Sequence, residues 1–132
     1  MSFFGKEYKF DREENFEDFV NSLGLTEQQV HNYVNFKPTQ CLVKDNDSYT
    51  FINTTPMTKS EVNFKSGVTF DDKVANKKCQ TTFTVEGNIL TQVQTFEDGA
   101  VFTYKREFSE ESLIVTITCS IWDGVARRYY KV

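Results

Sequence analysis

A chain of 132 residues has room for one domain, 1–132, and not for a second. Its formal charge of −4 and pI near 5.0 exclude a nucleic-acid partner, which needs a basic face to neutralise phosphates; Lys77-Lys78 and Arg127-Arg128 are too short to make one. Aromatic residues reach 15% while mean hydropathy stays at −0.49, so large apolar groups sit among polar ones, as strands with one wet face require.

The first predicted element is a strand near Gly5–Phe10. The opening "MSFFGKEYKF" lacks the apolar run of a signal peptide, and nothing approaches the roughly 20 apolar residues of a membrane span, so a cytoplasmic protein is expected. Two short helices follow, together spanning about 15–36. Asn15 with Asp18 makes a weak capping box and Thr26 with Gln29 a good one. Gly24 between them suits a helix C-terminus. Phe16, Phe19, Val20 and Leu23 share one helical face, and Val30, Tyr33 and Val34 continue it on the second helix. Lys37-Pro38 then stops helical growth.

From Thr39 the apolar period becomes two. Turn signals recur at 45–47, 55–58, 65–67, 86–88, 97–99, 109–112 and 122–124, the last being "WDG". About ten strands joined by hairpins predict a mainly β, antiparallel up-and-down barrel lidded by the helices. Eight strands already leave room for a small guest, so ten should enclose a ligand cavity.

Chemistry for catalysis is sparse. His31, the single histidine, falls on a helix, and no nucleophile elbow, Cys–His pairing or metal-spaced cluster exists, so no enzyme, metal or cofactor is expected. Cys41, Cys79 and Cys119 are odd in number and widely spaced, which fits reduced thiols rather than a disulfide framework. Charge inside the barrel is the informative feature. In "VFTYKREF" the alternation puts Phe102, Tyr104, Arg106 and Phe108 on one face, the sensible interior except for Arg106. The closing "WDGVARRYYKV" likewise puts one Arg–Tyr pair inside, either Arg127 with Tyr129 or Arg128 with Tyr130. A buried guanidinium needs an anion or water. No Asp or Glu is expected on the inward face near these arginines.

The sequence resembles the intracellular fatty acid-binding proteins over nearly its whole length, through "GKEYKF", "ENFEDF", "LGL", "KPT", "NFKSGVTFDD" and the closing Arg-x-Tyr. Its ending looks most like insect midgut members. The resemblance implies a cytoplasmic, non-enzymatic carrier of long-chain fatty acids, monomeric, with at most transient membrane contact. It implies a carboxylate site of two arginines and a tyrosine, matched by Arg106, Arg127 and Tyr129. That register is preferred because it leaves Tyr129 three residues from the end, as in the family, and brings Val125 inward rather than Ala126. "SIWDGVA" is one residue longer than the family's usual turn, and Tyr8 stands where Trp is usual. Lid and portal positions are matched by Phe16, Val20, Leu25, Gln29, Met57, Ala75 and Lys78. Cavity-lining positions are matched by Pro38, Gln40, Asn53, Thr55, Gln92, Gln94, Tyr104, Val115 and Ile117. A carrier of a retinoid or another amphipathic anion, or a non-catalytic interaction module, is the alternative.

Overall fold

The computed structural model describes residues 3–74 and 76–132. The chain runs β1 (Lys9–Glu14), α1 (Phe16–Asn21), α2 (Glu27–Asn35), β2 (Thr39–Asp45), β3 (Ser48–Thr54), β4 (Lys59–Phe64), β5 (Thr69–Val74), β6 (Lys77–Glu86), β7 (Ile89–Phe96), β8 (Val101–Phe108), β9 (Ser112–Cys119) and β10 (Trp122–Lys131). These are the ten antiparallel strands and two-helix lid that the alternation and hairpin signals predict. They form a seven-stranded sheet, β1-β10-β9-β8-β7-β6-β5, and a three-stranded sheet, β2-β3-β4. Tyr8 and Gln40 exchange both backbone hydrogen bonds at 2.9 Å and join the sheets on one side. On the other side the ladder is interrupted between β4 and β5.

Three expectations are corrected in detail. The first strand starts at Lys9, later than predicted; before it, Tyr8 makes only an isolated bridge. The Asn15 capping box does not form: Asn15 adopts φ 58°, and its side-chain amide donates to Val125 O at 3.1 Å instead of capping α1. The Thr26–Gln29 box does form, with both reciprocal bonds present. The third correction decides the site. The final hairpin turns at Ser120-Ile121, and "WDG" already lies within β10. The extra length is taken up as a bulge between Trp122 and Ala126. Glycine suits position 124 in that bulge, because a Cβ there would collide with the Trp122 ring.

The core is one cluster rich in aromatic rings, and it includes Phe16, Phe19 and Val20 of the lid. Tyr8, Leu42, Leu90, Phe108 and Leu113 are all essentially inaccessible, each contributing about 1.5–3 kcal/mol by burial. The Tyr8 hydroxyl donates to Ser109 O at 2.7 Å, so the polar end of this buried ring is satisfied. In the lid, α1 buries Phe16, Phe19 and Val20 and packs against β10, with Phe19 5.7 Å from Trp122 between ring centroids. α2 buries no residue completely. Its apolar side, Val30, Tyr33 and Val34, is only half-buried, so the lid is held more firmly by its first helix than by its second.

Candidate functional site

Pairing across β8, β9 and β10 settles which charges face inward. Residues directly opposite in an antiparallel pair share a face. Arg106 pairs with Val115, and Val115 with Arg128, so the two arginines lie in one row across three strands. The two-residue turn pairs Cys119 with Trp122, and the bulge shifts the register by two residues. A shift of two preserves the alternation, so even-numbered residues of β10 stay inside. Arg128 and Tyr130 are accordingly buried at 4% and 2% exposure, and Ala126 rather than Val125 faces in. The preferred pair, Arg127 with Tyr129, is overturned. Both lie on the outer face, where Tyr129 donates to Glu14 at 2.6 Å and stacks under Arg12 at 3.9 Å. That bond to Glu14 is the main reason the Tyr129 hydroxyl holds its proton more tightly than usual.

Among the described residues Arg106 has no anionic partner. Its residue is 6% exposed, and its Nε and Nη1 are enclosed with no hydrogen-bond acceptor. The guanidinium instead lies over the Phe51 ring at 4.5 Å and near the Tyr104 ring at 5.5 Å, contacts worth about 0.5–2 kcal/mol. They do not offset the loss of water. Burial brings its pKa down to about 10, and the neighbouring Tyr104 and Tyr130 only partly resist that fall. Tyr104 is pushed up to about 12, again chiefly by burial, with Arg106 opposing.

Arg128 is better supplied, with only its Nε left buried and without an acceptor. Its Nη1 donates to Phe36 O, its Nη2 donates to Val34 O at 3.2 Å, and Nη2 also lies 3.2 Å from a carboxylate oxygen of Glu13. The guanidinium stacks on Phe16 at 3.7 Å. Val34 and Phe36 close α2, so this arginine caps the negative end of the lid helix. Tyr130 belongs to the same cluster. It accepts from Gln40 Nε2 at 3.3 Å; its pKa is raised first by burial, while Arg128 and Arg106 pull it down. Glu13 was missed by sequence reasoning and contradicts the expectation that no acid faces in. It stands opposite Arg128 in the β1–β10 ladder, beyond a bulge at Asp11 that inverts the alternation of β1.

A cavity of about 180 Å³ lies beneath the lid, bounded by Phe19, Leu25, Gln29 and Tyr33 above and by Gln94, Phe102 and Tyr104 on the barrel wall. Its Tyr104 end leads toward Arg106, two residues along the same face. Leu25, Gln29, Gln94 and Tyr104 thus line the cavity as expected. Phe16, Val20, Pro38, Gln40, Val115 and Ile117 are buried around it, and Asn53, Thr55 and Gln92 are half-buried on inward positions of β3, its turn and β7. Two portal assignments change. Lys78 is exposed on the outer face of β6, and its neighbour Lys77 takes the cavity rim. Met57 is 91% exposed at the β3–β4 turn and does not line the cavity beneath the lid. Ala75 lies outside the described residues. His31 is exposed on α2 and accepts through its backbone carbonyl from Asn35 at 2.8 Å. Among the described residues no group of three or more His, Cys, Asp or Glu is placed to hold a metal.

A sheet rolled around an enclosed space, with a helical cover and unpaired positive charge on the inner wall, is built to surround a guest, which is the class of small ligand-enclosing β-barrels. No protein-family profile matches the chain. Curated relatives do: fatty acid-binding protein 1 of Manduca sexta is 49% identical, and fatty acid-binding protein 2 of the same moth 44%, each over 99% of both chains. The solved structure of a fatty-acid-binding protein isolated from Manduca sexta superposes with a TM-score of 0.90 at 42% identity, covering 99% of this chain and 100% of the other. The chain belongs to the fatty acid-binding protein family.

Proposed function

We propose that this protein is a non-enzymatic carrier that encloses a long-chain fatty acid, with the carboxylate at Arg106, Arg128 and Tyr130 and the chain running toward the lid. It works as a monomer in the cytoplasm and meets membranes only transiently. The observation that carries the reading is the buried Arg106 guanidinium with two nitrogens lacking any acceptor. An uncompensated buried cation costs several kcal/mol, and a guest carboxylate removes that cost. The relatives' names supply the guest's class. An interaction module would have no use for an unpaired charge buried on the inner wall. The unpaired thiols of Cys41, Cys79 and Cys119 suit a reducing compartment.

The two halves of the ligand do different work. Each buried methylene contributes about 0.8 kcal/mol, so the chain provides most of the affinity. The guanidinium–carboxylate contact orients the guest and selects acids, because a hydrogen bond to a charged group is worth about 1.5–3 kcal/mol net. Tyr130 offers a hydroxyl donor beside both arginines. Entry and exit pass the half-buried α2, the least anchored part of the cover.

The test is calorimetric titration of the delipidated protein with palmitate, hexadecanol and retinol. Palmitate should bind tighter than hexadecanol by about ten- to a hundredfold, matching the headgroup contact. Equal binding of acid and alcohol would overturn the carboxylate assignment, and a clear preference for retinol would overturn the fatty acid.

A further inference from the structure

Glu13 has no role in the carrier reading as stated so far, yet its carboxylate lies within the anion site. It stands on the inner face of β1 opposite Arg128, its Oε1 3.2 Å from Arg128 Nη2 and shielded from solvent. Its exposure is 23% for the side chain as a whole, against 5% for that of Arg128. Arg128 and Tyr130 are successive inward residues of β10, and Arg106 shares the row of Arg128 through Val115. Of the other carboxylates near the cavity, Asp98 is exposed at the rim, and only Asp72 among the described residues there is partly buried on an inner face. It sits on β5 at the far edge of the seven-stranded sheet, already accepting from Thr81 at 3.1 Å and from the Lys73 N–H at 2.8 Å.

The local charge inventory is therefore two guanidiniums and one resident carboxylate. Arg128 is neutralised by Glu13 and also supplied by the Val34 and Phe36 carbonyls, while Arg106 is not neutralised at all. One positive charge is left over. A guest with a single negative charge balances the site; a guest with two leaves an excess anion in a buried place, where surplus charge is heavily penalised. Resting on the carboxylate reading above, we propose that Glu13 is a specificity-determining residue: it sets the headgroup site to accept monoanions such as a fatty carboxylate and to reject dianions such as a monoalkyl phosphate.

The experiment compares palmitate, hexadecanol and hexadecyl phosphate, all with sixteen-carbon chains. Displacement of a fluorescent fatty acid at pH 8.5 reads their affinities, where a phosphate monoester with its second pKa near 6 is a dianion. Wild type should prefer palmitate over hexadecyl phosphate by about tenfold or more, and Glu13→Gln and Glu13→Ala should each move that ratio about tenfold toward the phosphate. Glu14→Gln, on the outer face, should leave the ratio where it is. An unchanged ratio in both Glu13 variants, with palmitate still favoured over hexadecanol, overturns the role of Glu13 alone. A shift in only one of them points to side-chain size instead of charge and overturns it too. Failure of both variants to fold makes Glu13 a structural partner of Arg128 and has the same consequence. Hexadecanol binding as tightly as palmitate in wild type sinks the carboxylate reading beneath it.

Discussion

Replacing Arg106 by Met should stabilise the empty protein and cripple its preference for acids. The structure sets the size of the effect. Burial lowers the arginine's pKa from its ordinary value to about 10, and at 1.36 kcal/mol per pKa unit the charged form is disfavoured by about 3 kcal/mol. The Phe51 and Tyr104 rings return about 1 kcal/mol, leaving a net strain of about 2 kcal/mol. Met fills similar space without charge or an unmet donor. At about 3 °C per kcal/mol for a domain of this size, the empty variant should melt about 6 °C higher. The folded pKa lies below the unfolded one, so the penalty is complete below about pH 10 and eases only as pH rises from there toward the ordinary arginine value; the gain should be flat across neutral pH. Thermal melts of delipidated wild type and Arg106→Met, with and without palmitate, provide the assay. Palmitate should raise the wild-type melting temperature more than hexadecanol does, and that difference should vanish in the variant. An empty Arg106→Met protein that melts below wild type would refute the reasoning, since Arg106 would then be satisfied without a guest.

Arg128→Gln should weaken palmitate binding by about tenfold or more while sparing hexadecanol, whereas Arg127→Gln on the outer face should change neither by more than about twofold; calorimetry of both variants checks the register directly. Burial pushes the Cys41 and Cys79 thiols up, with Glu7 adding to the shift at Cys41 and Thr81 opposing it at Cys79. Alkylation at pH 8, followed by mass spectrometry, should therefore label both far more slowly than an unfolded control, and rapid labelling of Cys79 would show an inner wall open to solvent. Residues 14–37 carry Glu14, Glu17, Asp18 and Glu27 against Lys37, a formal −3, while anionic bilayers reward basic segments by about 1 kcal/mol per Lys or Arg. Transfer of a fluorescent fatty acid to vesicles should thus proceed through water, at a rate independent of vesicle concentration; a rate climbing with added anionic vesicles would contradict this.

Much of the barrel was legible because alternation is a local signal. "VFTYKREF" reveals its inner face without any partner strand, and the Thr26–Gln29 box announces α2 within four residues. The errors arose where a local cue had two meanings. "WDG" reads as a turn by composition, yet the chain had already turned at Ser120-Ile121, and the surplus residues became a bulge carrying Gly124. With the turn placed there, alternation leaves both Arg–Tyr pairs open, and the family's spacing from Tyr129 to the end favoured Arg127 and Tyr129; the earlier turn and the bulge put Arg128 and Tyr130 inside. Counting outward from Cys119 opposite Trp122 would have put the even-numbered residues inside. Glu13 was hidden for a related reason. The bulge at Asp11 breaks the alternation of β1, and no pattern within that short strand reveals which carboxylate meets an arginine more than a hundred residues away. Lys77 and Lys78 show the same weakness at a strand end, where a shift of one residue decides which amine reaches the rim.

A structure of this protein with palmitate bound tests the central claim most directly. The carboxylate should lie within hydrogen-bond distance, about 2.7–3.2 Å, of the Arg106 nitrogens that lack acceptors and of the Tyr130 hydroxyl, with the chain directed past Tyr104 toward Phe19 and Tyr33. A carboxylate at the cavity rim beside Lys77, or on the outer face by Arg127 and Tyr129, would contradict it.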